Sequence, residues 1–152
     1  MDKGIYCLVF ENPGCVVRIG ALGEITFQRG WHIYIGSALG SGGLKRLMRH
    51  ISIAIRHDRK PKWHVDYILT SPFFSLYYTI HGVTGDRLEC LLANILNDNS
   101  GVPEFGCSDC SCTSHLLYRR DDPQQEILAA FRKLQLDPVI KTIINPQVKD
   151  NI

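Results

Sequence analysis

Arg46 and His50 stand four residues apart in a segment whose apolar residues recur at helical spacing, so their side chains meet on one helix face. An arginine fork grips phosphate oxygens bidentately and never deprotonates. An imidazole, with an unperturbed pKa of about 6.5, can accept or orient a proton near neutral pH. The pair opens a basic run. From Leu44 to His64 there are seven Lys or Arg (Lys45, Arg46, Arg49, Arg56, Arg59, Lys60, Lys62) against one acid, Asp58, with His50, His57 and His64 among them. A local excess of six positive charges is the footprint of a polyanion-binding face. The bland alternative is a solvated helix face. Net charge over all 152 residues is only +2, so the distribution carries the information rather than the total.

The elements that must position these groups follow from periodicity and punctuation. Gly4 to Phe10 reads as a strand, and Asn12-Pro13-Gly14 as a turn. Cys15 to Ile19, Glu24 to Gln28 and Trp31 to Gly36 read as further strands, which makes the first quarter an antiparallel meander. Ser37 to Gly43 is too rich in Gly and Ser for a regular element and leads into a helix with Leu44, Leu47, Met48, Ile51 and Ile55 as its buried stripe. Free amides in such a loop could cradle a phosphate, although the P-loop ending is absent. Trp63 to Leu69 is a short element; taken as a strand, it puts His64 and Asp66 on one face. Phe73 to His81 reads as a core strand. A helix opening at Asp86 buries Leu88, Leu91, Leu92, Ile95 and Leu96, with Glu89 in its first turn. His115 to Tyr118 suggests an edge strand, and Asp122-Pro123 caps a helix running to about Leu134. The tail after Asp137 is expected to pack loosely. These readings give an α+β fold, a small antiparallel sheet flanked by helices, in one domain spanning 1–152. Its core is expected over about 4–98, with a cysteine-rich loop and helix over 102–136. The N-terminus lacks the pattern of a signal peptide, and no run is long enough to cross a membrane, so a cytoplasmic protein is expected.

Gly4-Ile5-Tyr6 and Tyr34-Ile35-Gly36, followed in order by Arg46, His50 and Glu89, resemble the GIY-YIG nuclease family over roughly residues 4 to 96. A narrower resemblance covers nearly the whole chain. Tyr34-Ile35-Gly36-Ser37-Ala38-Leu39-Gly40, Trp63-His64-Val65-Asp66-Tyr67, Phe105 to Cys112 and Ser114-His115-Leu116 look like the DUF123 group of small prokaryotic proteins classed as GIY-YIG-like. The resemblance implies a GIY-YIG-like fold and a divalent-metal-dependent endonuclease acting on DNA or RNA in repair or processing. The alternative is a non-catalytic nucleic-acid-binding module on the same fold.

Hydrolysis of a phosphodiester asks for the residue types that fall at the matching positions. Water must lose a proton, phosphoryl charge must be stabilised and the leaving oxygen neutralised. Arg46 suits the second task. Glu89 suits the third as ligand to one Mg²⁺ or Mn²⁺ ion, which commonly keeps most of its waters. The resemblance implies Tyr6 as base, yet a free phenol titrates at about 10 and needs a cationic neighbour to act near neutral pH. His50 is the rival base, and Tyr34 is assigned a positioning role. Lys45, Arg49, Lys60 and Lys62 are expected to hold the nucleic-acid backbone without reading sequence. Where many family members carry a lysine after the second tripeptide, this chain has Ser37, so either the phenol is less activated or His50, His64 or Lys45 supplies what the lysine would. His64 with Asp66, and Asp109 with His115, are further residues expected near the site.

Four cysteines fall in 90–112, and Cys107, Cys110, Cys112 and His115 follow the pattern C-x2-C-x-C-x2-H. The donor types suit zinc, but the spacing is compressed and the C-x-C step strains a tetrahedral site, so zinc is not expected there. A zinc-stabilised interaction protein stands as a second alternative. Cys7, Cys15 and Cys90 read as small core residues.

Overall fold

Strand β1 (Gly4–Asn12) is an almost unbroken apolar run because both of its faces are covered. Ile5, Cys7 and Val9 point into one apolar cluster, and Tyr6, Leu8 and Phe10 into another. The alternation is the ordinary period of two; what differs from a half-exposed strand is that helices lie on both sides. The computed structural model describes residues 1–57, 60–103, 105 and 114–144.

β1 pairs antiparallel with β4 (Gly30–Ala38) on one side and β5 (Ser75–Val83) on the other. β6 (Leu116–Arg119) adds beyond β4 and β7 (Val139–Thr142) beyond β5, giving the order β6-β4-β1-β5-β7. β2 (Cys15–Arg18) and β3 (Glu24–Phe27) form a separate two-stranded sheet, so the first four strands are not one continuous meander. Helices α1 (Lys45–Arg56) and α2 (His64–Leu69) share the cluster on the Tyr6 side. Helices α3 (Glu89–Leu96) and α4 (Gln124–Lys133) bury Leu92, Ala93, Leu96, Ile127 and Phe131 in the cluster on the other. The α+β architecture is the one expected. No helix among the described residues is long and apolar enough to cross a membrane.

Three local expectations are corrected. The buried residues of α1 are Leu47, His50, Ile51 and Ile53, while Met48 and Ile55 are exposed. The helix is turned so that the His50 ring lies against Tyr6, at a centroid distance of 5.8 Å, and Ile53 joins the cluster that holds Val65 and Ile68 of α2. The segment from His64 to Leu69 is a helix, so His64 and Asp66 point in different directions instead of sharing a strand face. The chain after Asp137 does not pack loosely throughout: β7 pairs with β5 from His81↔Val139 to Tyr78↔Thr142. All four β7 residues are exposed, so no apolar period betrays that strand.

The turn into α1 depends on Gly43, which sits at φ +57 where a Cβ would collide with the carbonyl oxygens of Met1 and Asp2. The amides of this turn are already bonded: Gly43 to Gly40, Leu44 to Asp2, Lys45 to Gly42 and Arg46 to Gly43. Within the expected phosphate-cradling loop, the Gly43 amide is thus taken, as are those of the first residues after it.

Candidate functional site

The two motif glycines and the two motif tyrosines are parts of one packing arrangement. Tyr6 on β1 faces Gly36 on β4 as its direct antiparallel partner, and Leu8 faces Tyr34. The Tyr6 ring folds across Gly36, where a Cβ would lie 2.6 Å from the phenol oxygen. Gly4 is required by the opposite neighbour, because its Cβ would strike the Gly82 carbonyl oxygen of β5. Tyr6 and Tyr34 thereby share a sheet face at one end of the β1–β4 pair, and both line a cavity of about 560 Å³.

Tyr6 is only 1% exposed. Burial pushes its phenol well above the ordinary value; Tyr34 and Glu89 push the same way, while the Arg46 charge and a hydrogen bond from Arg46 pull it back. The net direction is up, so the hydroxyl keeps its proton at neutral pH. The cationic neighbour expected beside Tyr6 is Arg46, whose lowering effect is outweighed here by burial.

Arg46 reaches the cavity from the first turn of α1 and is held from two sides. Its guanidinium donates to the Tyr6 hydroxyl and stacks on Trp63 at 5.0 Å from the ring centroid. Arg49 and Lys62 also approach that ring, at 5.8 and 5.7 Å. Trp63 is in turn fixed by Asp66. The Asp66 Oδ2 accepts hydrogen bonds from the backbone amides of Lys62 and Trp63, both at 2.9 Å, and closes the turn before α2. A fully buried carboxylate thus positions the chain that positions the arginine.

Glu89 enters from the first turn of α3, where the helix dipole favours an acid. Its side chain is 24% exposed, and its Oε1 lies 3.9 Å from Nδ1 of His115. His115 is 2% exposed, and burial lowers its imidazole against the opposing pull of Glu89. The ring is therefore neutral near pH 7, and the contact is dipolar rather than an ion pair. Cys90, next in the chain, lines the same cavity and is disulfide-bonded, whereas Cys7 and Cys15 are free. The reading of Cys90 as a core residue is corrected: as the second residue of α3 it turns toward Tyr6 and Arg46 instead of into the sheet.

Of the residues named from sequence, Tyr6, Tyr34, Ser37, Arg46, Lys62, Glu89, His64 and His115 converge on the cavity. His50 does not line it. Its ring is 1% exposed behind Tyr6, neither nitrogen makes a hydrogen bond among the described residues, and burial lowers its pKa to about 4 with Arg46 adding to the shift. It supports the site from beneath and has no path to a water in the cavity. Asp66 is buried, and Lys45, Arg49 and Lys60 lie outside on the solvent side. Asp109, Cys107, Cys110 and Cys112 lie outside the described residues.

Sequence reasoning missed Arg87, Trp63 as a stacking partner, and Cys90. Trp63 carried a signal, an aromatic residue set among cations. Arg87 and Cys90 flank Glu89 and gave no signal beyond that adjacency. A carboxylate facing a guanidinium across a cavity of this size, with two phenols beside them, suits an anionic ester more than an apolar ligand. The ligand chemistry for one hard divalent ion also fits: an oxygen donor from Glu89 with room around it for water.

The chain matches no curated protein and no solved structure. The family model described as domain of unknown function DUF123 matches residues 5–136, and the chain belongs to that family.

Proposed function

We propose that the protein is a nuclease of the GIY-YIG type, hydrolysing phosphodiester bonds of DNA or RNA in this cavity. The observation that carries the reading is the convergence of Arg46 and Glu89, distant in sequence, on one cavity lined by Tyr6 and Tyr34. The order of those residues along the chain is what the GIY-YIG resemblance requires, and the basic run of α1 leads directly into the site.

In this reading Arg46 binds the non-bridging oxygens of the scissile phosphate and stabilises the charge that grows there. It is preorganised by Tyr6 and Trp63, so little reorganisation is needed at the moment of reaction. Glu89 would hold a divalent ion, Mg²⁺ or Mn²⁺; when bound, the ion supplies charge neutralisation at the leaving oxygen. Tyr6 keeps its proton in the free site and serves as a hydrogen-bond donor to the phosphoryl group. Any cation added beside it lowers its pKa and moves it toward the role of base. His64 lines the cavity, and in this reading it would accept the proton of the attacking water in place of the buried His50. Tyr34 and Ser37 orient substrate from the β4 side. Lys62 and Arg87 flank the cavity and would hold neighbouring phosphates.

The test is incubation with branched, nicked and single-stranded substrates in Mg²⁺ or Mn²⁺, with Glu89→Ala and Arg46→Ala alongside and a chelator control. Metal-dependent cleavage abolished by both substitutions supports the reading. Tight binding with no cleavage on any substrate would favour the non-catalytic nucleic-acid-binding module instead.

A further inference from the structure

The cavity contains a second donor set beyond a lone carboxylate. A carboxylate oxygen of Glu89, the sulfur of Cys90 and a ring nitrogen of His115 all lie within 4.8 Å of one another. We propose that reduction of the Cys90 disulfide creates a three-ligand site for a borderline divalent ion of the zinc or cobalt class, with its fourth position open to the cavity. This site shares Glu89 with the hydrolytic reading but does not rest on it.

The donor chemistry selects the ion. Thiolate and imidazole prefer Zn²⁺ and its neighbours over Mg²⁺, and three protein ligands with one open position is the pattern of catalytic rather than structural zinc. Metal–ligand bonds of about 2.0–2.3 Å set donors roughly 3.5 Å apart around a tetrahedral ion. The observed spread is thus closed by side-chain rotations of about 1 Å, with no backbone shift. The backbone that carries the imidazole is already fixed. The His115 amide donates to the Phe105 carbonyl at 2.9 Å, and its carbonyl accepts from Ile35 at 2.8 Å, so the residue is tied to β4 on one side and to Phe105 on the other. Glu89 and Cys90 are the first two residues of α3.

The oxidation state then decides which ion the site prefers. A dithiol reductant gives two electrons to the disulfide. The S–S bond breaks, each sulfur takes up a proton, and the dithiol closes into its own cyclic disulfide. Binding of the ion displaces the Cys90 proton and places a thiolate in the coordination sphere. With the disulfide formed, the sulfur stays beside Glu89 and His115 but has no thiolate to donate, so only the carboxylate and the imidazole can hold an ion. The site therefore exchanges a thiolate-bound ion for a carboxylate-bound one as the surroundings become oxidising.

The experiment uses the full-length protein, stripped with a chelator and titrated anaerobically with Co²⁺, before and after dithiol reduction. The reduced protein is expected to bind one equivalent, with thiolate-to-cobalt charge-transfer absorption and tetrahedral d–d bands. The oxidised protein should lack the charge-transfer band. Cys90→Ser should abolish the band, and Glu89→Gln should weaken Co²⁺ binding by about tenfold or more. Cys90→Ser is conservative in size, and circular dichroism of each variant checks that it folds. A charge-transfer band that persists in Cys90→Ser, or that disappears only when Cys107 or Cys110 is replaced, overturns the proposal. So does a reduced, folded protein that gives no band at all. Because the readout is an absorption spectrum, either result leaves the cleavage assay free to succeed or fail by itself.

Discussion

The Tyr6 ring rests on the backbone of Gly36, its antiparallel partner, with no space for even a methyl group between them. The relationship joins the two tripeptides into one device: the glycine of the second is the seat for the tyrosine of the first. Gly36→Ala must therefore move the ring or spread the strands, an overpacking expected to cost about 1–3 kcal/mol. Urea denaturation checks the stability. Loss of activity in excess of the loss of folded protein would show that the ring position matters for chemistry too.

Acid should destabilise the protein through its buried histidines. Burial lowers both His32 and His50 from 6.5 to about 4. The unfolded chain thus binds protons that the folded one refuses, and stability present above pH 6.5 is lost as pH falls toward 4. Urea midpoints measured between pH 7 and pH 4.5 should drop steadily. His50→Leu should flatten that drop and hold or raise stability at pH 7, because neither ring nitrogen has a hydrogen bond to lose. A steeper acid drop in His50→Leu would contradict the assignment.

Asp66 should act on the site at one remove. Asp66→Ala frees two backbone amides and is expected to cost about 2–4 kcal/mol. Asp66→Asn keeps an accepting oxygen and should cost less. In folded protein, both are expected to lower kcat with little change in substrate KM, because the first casualty is the Trp63 stack that holds Arg46. The separation of KM from kcat in steady-state kinetics checks this.

The exposed cations should contribute affinity without specificity. Arg49→Ala and Lys60→Ala are each expected to reduce the slope of log K against log salt by about 1. The loss should be equal for unrelated sequences of the same structure. A sequence-dependent loss in fluorescence-anisotropy titrations would show that these residues do more than hold the backbone.

How much of this was legible in the sequence depends on what each residue announces. The strands around Tyr6 and Tyr34 were readable because apolar runs and turn residues agree. Arg46 and Glu89 were singled out because they follow the two tripeptides in the order that the GIY-YIG resemblance implies, and both line the cavity. Asp66 was misplaced because a short polar-apolar stretch fits a strand as well as a two-turn helix, and only the amides of Lys62 and Trp63 reveal its capping role. His50 was placed in the cleft because i, i+4 spacing with Arg46 says that two side chains are neighbours, not which of them faces solvent. β7 was missed because an exposed edge strand carries no apolar period. Cys90 was taken as core because its neighbours on α3 are apolar, whereas the orientation of the first helical turn is set by tertiary contacts that no local pattern records.

The most direct measurement is the single-turnover cleavage rate in Mg²⁺ of the wild type against Glu89→Gln and Arg46→Lys, with substrate affinity measured in parallel. Both variants should stay folded and bind substrate with affinity within a few-fold of wild type. Each should lose about 10²-fold or more in rate, because the neutral amide no longer holds the ion and the ammonium cannot reproduce the two-pronged grip. Cleavage at the wild-type rate in both variants would contradict the assignment of this cavity as the place where phosphodiesters are cut.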